Sequence, residues 1–142
     1  MSENQFFNAF SKSISVAEKK KLNIKEIDNI FFSINDEISK GTDGRFSIEL
    51  SKAIIPALGA FLNSFSKSAV KEFNEEYYLE VKNNETGKSF NMADVKYGDQ
   101  GYPVQLFFKN NSLTSNSKES LKNDLLDLLS SAAFGEELEK IM

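Results

Sequence analysis

From Asp94 to Tyr102 the chain reads Asp-Val-Lys-Tyr-Gly-Asp-Gln-Gly-Tyr, with two acids, two tyrosines and two glycines in one short turn. Tyrosine supplies a large contact area at little cost in conformational entropy, and it is common where proteins recognise one another. Asp94, Tyr97, Asp99 and Tyr102 are therefore the expected partner-binding residues, the acids facing a basic partner and the rings supplying buried area. An ordinary hairpin tip with half-buried tyrosines accounts for the same residues.

Other chemistry is scarce. There is no histidine, cysteine or tryptophan, and Arg45 is the only arginine. A Ser-His-Asp triad, a Cys-His pair, Cys/His zinc sites, thiolate redox centres and haem held by His or Cys are all excluded. Gly87-Lys88-Ser89 has the tail of a phosphate-binding P-loop, but the motif needs a glycine where Lys82 stands. The stretch from Ile34 to Leu58 has the outline of an EF-hand. With Gly44 as its turn glycine, Ser39, Gly41 and Leu50 fall at ligand positions and only Asp43 is suitable. Glu75 and Glu76, Glu136 with Glu137 and Glu139, and Asp94 with Asp99 are generic acidic pairs, read as solvated surface. No catalytic residue, metal site or cofactor is expected.

The elements that must position the turn follow from periodicity. Residues 3–20 read as a helix striped by Phe6, Phe7, Phe10, Ile14 and Ala17, expected to dock on the core, with docking on another chain as the alternative. A second helix is expected over 24–40, capped by Asn23 with Glu26 completing a capping box, its stripe Ile24, Ile27, Phe31, Ile34 and Ile38, and Gly41 at its end. Phe46, Ile48 and Leu50 alternate with polar residues as in a short strand. A third helix is expected from 52 or 56 to 74, carrying Phe61 and Phe65. Tyr77–Lys82, a less clear run within Ser89–Tyr97, and Tyr102–Lys109 predict a meander of about three strands, with Phe107 on the face opposite Val104, Leu106 and Phe108; either helices cover both faces or Phe107 helps form a binding surface. Residues 110–117 read as a polar linker. Ser117 is expected to cap a last helix striped by Leu121, Leu125, Leu128, Leu129 and Ala132, with a break at Gly135.

The fold class expected is α+β in a single domain over 1–142: N-terminal helices, a small antiparallel sheet and a C-terminal helix. Phe31, Ile34, Phe61, Phe65, Leu79, Val81, Val104, Leu106, Leu125 and Leu128 are the expected core.

The net charge is −4. With a single arginine, phosphate contacts and hence nucleic-acid binding are not expected, and Lys19-Lys20-Lys21 reads as a basic helix end. The first residues lack the pattern of a signal peptide, and the longest apolar run, Ala53–Leu62, is about half a membrane span. No membrane association is expected, and the absence of cysteine suits a reducing cytoplasm. Abundant Lys, Asn, Ile and Ser beside scarce Arg and Pro point to a bacterial, phage or plasmid source.

The expected function is binding of another protein without catalysis, of the inhibitor or immunity-protein kind that neutralises a partner. Two other classes stay open: a carboxylate-based hydrolase or ligand-binding domain with a pocket beside the sheet, and a structural component that oligomerises through the Phe-rich first helix. A deep pocket with converging carboxylates favours the first, and a flat acidic-aromatic surface favours the binder.

Overall fold

The computed structural model describes residues 4–53 and 76–142. Neither glycine nor proline occurs between Asn4 and Lys40, and the backbone runs as one 37-residue helix, α1 (Gln5–Gly41). It is about 55 Å long at 1.5 Å per residue. The two helices expected from the sequence are thus one. Their apolar stripes differ in phase: Phe6, Phe7, Phe10 and Ile14 lie roughly a third of a turn around the axis from Ile27, Phe31, Ile34 and Ile38. That change of phase reads as a break in sequence, yet nothing there stops a helix. Asn23 does not cap; its Nδ2 donates to the Gln100 carbonyl at 2.8 Å instead. At the other end Thr42, not Gly41, is the C-cap, its hydroxyl donating to the Ile38 carbonyl at 2.8 Å.

Five strands follow: β1 (Phe46–Ala53), β2 (Glu76–Asn83), β3 (Ser89–Gly98), β4 (Gly101–Phe108) and β5 (Asn111–Ser115). They form one antiparallel sheet in the order β1-β2-β3-β4-β5. The α+β class holds, with five strands rather than about three. β1 runs on through Lys52 and Ala53, where a helix start was one reading. Apart from those two residues the expected third helix, with Phe61 and Phe65, lies outside the described residues. β5 replaces the expected linker. It is an edge strand, where polarity is tolerated. Its Ser115 is fully buried and donates to Asp124 Oδ2 at 2.6 Å. β3 is hard to read in sequence because of a bulge. Leu79 pairs with Ala93 while Glu80 pairs with Asn91, so Met92 is left over. Met92 and Ala93 are consecutive and both buried, which breaks the strand alternation.

Two more helices close the chain: α2 (Lys118–Leu129) and α3 (Ala132–Lys140). Ser117 and Ser131 cap them, their hydroxyls accepting from Ser120 and Phe134 backbone N–H groups, each at 3.2 Å. The interruption falls at Ser130–Ser131, because Ser131 is a better cap than Gly135, which sits inside α3.

Among the described residues, the three helices lie against one face of the sheet. α1 crosses it from β4 to β1. There Asn35 Oδ1 accepts from the Ile48 N–H at 2.9 Å and covers a donor on the edge strand. The core joins Ile27, Ile30 and Phe31 of α1 to Ile48, Leu79, Val81, Met92, Val95, Val104 and Leu106 of the sheet and Leu121, Leu125 and Leu128 of α2. Of the expected core, Phe31, Leu79, Val81, Val104, Leu106, Leu125 and Leu128 are buried, and Ile34 is half-buried.

Candidate protein-contact surface

The turn from Asp94 to Tyr102 is clamped to α1. Gly98 pairs with Gly101 across the hairpin end. Both glycines are needed there. A Cβ on Gly98 would meet Pro103 at 2.8 Å, and one on Gly101, at φ +90°, would meet the Asn23 Cβ at 2.8 Å. Tyr97 Oη donates to Asp28 Oδ1 at 2.9 Å, and Tyr102 Oη donates to Glu26 Oε1 at 2.7 Å. Burial, and then the adjacent carboxylate, push both phenols well above the ordinary tyrosine value. The Tyr97 ring also meets Tyr77 edge-on at 5.4 Å. Both tyrosines therefore face α1. Glu26, expected to complete a capping box, instead accepts the Tyr102 hydroxyl.

The two acids part company from the rings. Asp99 lies exposed in the tip. Asp94 sits on the outer face of the sheet, held by Asn91 Nδ2 at 2.7 Å. Strand alternation places Glu49, Tyr78, Glu80, Asp94 and Phe107 together on that outer face, opposite buried Ile48, Leu79, Val81, Val95 and Leu106. In register, Asp94 lies between Tyr78 on β2 and Phe107 on β4. Glu49 lies directly opposite Glu80, and the row continues to Asn91 with no cation in it. Lys82 and Lys96 stand a row beyond, toward opposite ends of the sheet. Beside Asp94 a shallow cleft of about 290 Å³ is lined by Phe90, Phe107, Phe108, Lys109 and Glu137. The Lys109–Glu137 ion pair at 3.2 Å forms its wall. Phe107 keeps 38 % of its surface exposed. The sequence placed Phe107 on the face away from the core; the register of Tyr78 and Asp94 against it needed the structure.

A second exposed surface is the first half of α1. The expectation that it docks on the core is corrected: Phe6, Phe7, Phe10 and Ile14 keep 85, 69, 69 and 58 % of their surface exposed, and the helix first buries a side chain at Ile27. The phase of the stripe explains this, since a straight helix that turns Ile27 and Phe31 onto the sheet turns Phe10 and Ile14 aside. Four lysines against two glutamates give residues 1–22 a net charge of +2, leaving −6 on the rest of the total −4.

Between α1 and α2 runs an open trough of about 740 Å³, floored by Ile30, Ile34 and Leu125 and lipped by Leu22 and Leu126. Its carboxylates, Glu26 and Glu37, are three turns apart on one helix, about 16 Å along the axis and beyond the span of a glycosidase pair. Among the described residues no three His, Cys, Asp or Glu side chains gather as a metal site, and no helix is long and apolar enough to cross a membrane. No protein-family model matches the chain, and no curated protein or solved structure is significantly similar to it.

Proposed function

We propose that the protein binds another protein without catalysing a reaction, and that the outer sheet face around Asp94 is its contact surface. The observation that carries this reading is the in-register arrangement of Glu49 against Glu80 beside Tyr78, Asp94 and Phe107. Like charges directly opposite each other in a sheet cost stability. A basic partner would relieve that cost while Tyr78 and Phe107 supply apolar contact and the adjacent cleft receives an anchor side chain. Charge of this sign also steers a basic protein toward the face. A nuclease or other basic toxin neutralised in a reducing cytoplasm is the partner class this chemistry suits. Nucleic acid suits it poorly, since the face is acidic.

The test is differential capture. Immobilised parent protein should retain one basic protein from its source, and the folded Asp94→Lys/Phe107→Ala variant should lose it. Equal retention by the two would move the contact away from this face.

A further inference from the structure

The exposed arm of α1 and the outer sheet face are opposite in character and lie on one chain. The arm is basic and aromatic: Phe6, Phe7, Phe10 and Ile14 form its stripe, and Lys19, Lys20 and Lys21 close its inner end. The face is acidic and aromatic, with Asp94 between Tyr78 and Phe107 and the Glu49–Glu80 pair in the next row. We infer that the arm of one copy docks on the outer sheet face of a second copy, so that the chain is its own partner. This rests on the reading of that face as the contact surface and names one occupant for it.

Three observations lead to a second copy. The first is complementarity of charge: residues 1–22 carry a net +2, and Glu49, Glu80 and Asp94 stand in adjacent rows of the outer face. The second is topology. α1 is unbroken from Gln5 to Gly41 and lies on the inner face, pinned beside the arm by the Asn23–Gln100 and Tyr102–Glu26 hydrogen bonds. An arm continuing that helix points off the end of its own sheet. Reaching its own outer face would require the helix to break and double back around the β3–β4 hairpin. The contact must therefore form in trans. The third is shape. A shallow, open cleft bordered by Phe107, Phe108 and the Lys109–Glu137 pair adjoins the face, and the arm offers three exposed phenylalanines on a preformed helix to lie along it. Arm and face are different patches, so the contact is heterologous. It closes if two copies exchange arms reciprocally and propagates if they do not.

The experiment uses the full chain in sedimentation velocity over a wide concentration range. The parent should associate into dimers or larger species, and added salt should weaken this. An arm variant, Phe7→Ser/Phe10→Ser, and a face variant, Glu80→Lys/Asp94→Lys, should each lose self-association by at least about tenfold. Mixed together they should associate again, because the intact arm of one meets the intact face of the other. That rescue separates arm-on-face from arm-on-arm pairing. A parent that stays monomeric overturns the inference and leaves the capture test of the face standing. A face variant that associates like the parent, or a mixture that stays monomeric, overturns it too. Phe107→Ala replaces the double charge change if circular dichroism shows that the latter is unfolded. Loss of differential capture with self-association intact would instead sink the proposal of a foreign partner.

Discussion

Gly101 has the backbone angle of a glycine and the surroundings of one. At φ +90° an L side chain is strained, and its Cβ would meet Asn23 at 2.8 Å. Gly101→Ala should cost about 1–3 kcal/mol in a chemical denaturation curve; a cost near zero would mean that the hairpin does not dock on α1. The neighbouring phenols make a pH-dependent prediction. Tyr97 and Tyr102 titrate above the ordinary value of 10.0, through burial first and then Asp28 and Glu26. A folded-state pKa above the unfolded one gives stability that is complete below about pH 10 and is lost as pH rises beyond it, because the unfolded chain releases those protons first. The double variant Tyr97→Phe/Tyr102→Phe should be less stable than the parent at neutral pH, by about 1 kcal/mol for each hydrogen bond. The gap should narrow above about pH 10; parallel stability curves would refute the clamp. At this scale the sequence told part of the story. The Gly-rich, Tyr-rich turn stands out in the sequence as unusual. Its peculiarity, however, is explained by contact with Asn23, Glu26 and Asp28, far away in sequence. No spacing rule links residue 102 to residue 26.

Helix α1 shows how one element serves two ends. From Ile27 onward it buries a stripe, and before that no described side chain is fully buried. Phe31→Ala should therefore cost about 3–5 kcal/mol through lost transfer energy and a cavity. Phe7→Ser/Phe10→Ser, chemically the harsher change, should leave the melting temperature of the monomer within measurement error, since exposed substitutions fall within about 0.5 kcal/mol. If the arm variant melts well below the parent at a concentration where both are monomeric, the arm is packed on its own chain. The strongly periodic parts of the other elements were legible in sequence: the buried alternation of β2 and β4, the Leu stripe of α2 and its Ser117 cap. The illegible parts each have a local cause. The Met92 bulge hides β3 by breaking alternation, and β5 hides behind edge-strand polarity. The continuity of α1 hides behind a shift in stripe phase, although the lack of any Gly or Pro before Gly41 was the signal that could have revealed it.

At the scale of the whole molecule, the described residues place three helices on one face of the sheet and a charged, partly aromatic set of side chains on the other. The acids on that surface are placed against the interest of the fold. Glu49 and Glu80 face each other across adjacent strands, and the next residue in the row is Asn91. Replacing Glu80 with lysine turns a repulsive cross-strand pair into an attractive one, a change worth some tenths of a kcal/mol up to about 1 kcal/mol in favour of folding. The same change puts a positive charge in the path of a basic arm or a basic partner, and like-charge contacts at an interface slow association and weaken binding. Glu80→Lys should therefore raise the stability of the monomer, measured by denaturation at low concentration, while it lowers self-association, measured by sedimentation, and both effects should shrink as salt rises. A residue that merely decorates the surface would change neither, and a residue that holds the sheet together would lose stability and association together. Opposite signs for the two measurements are the signature of a face kept acidic for contact rather than for folding.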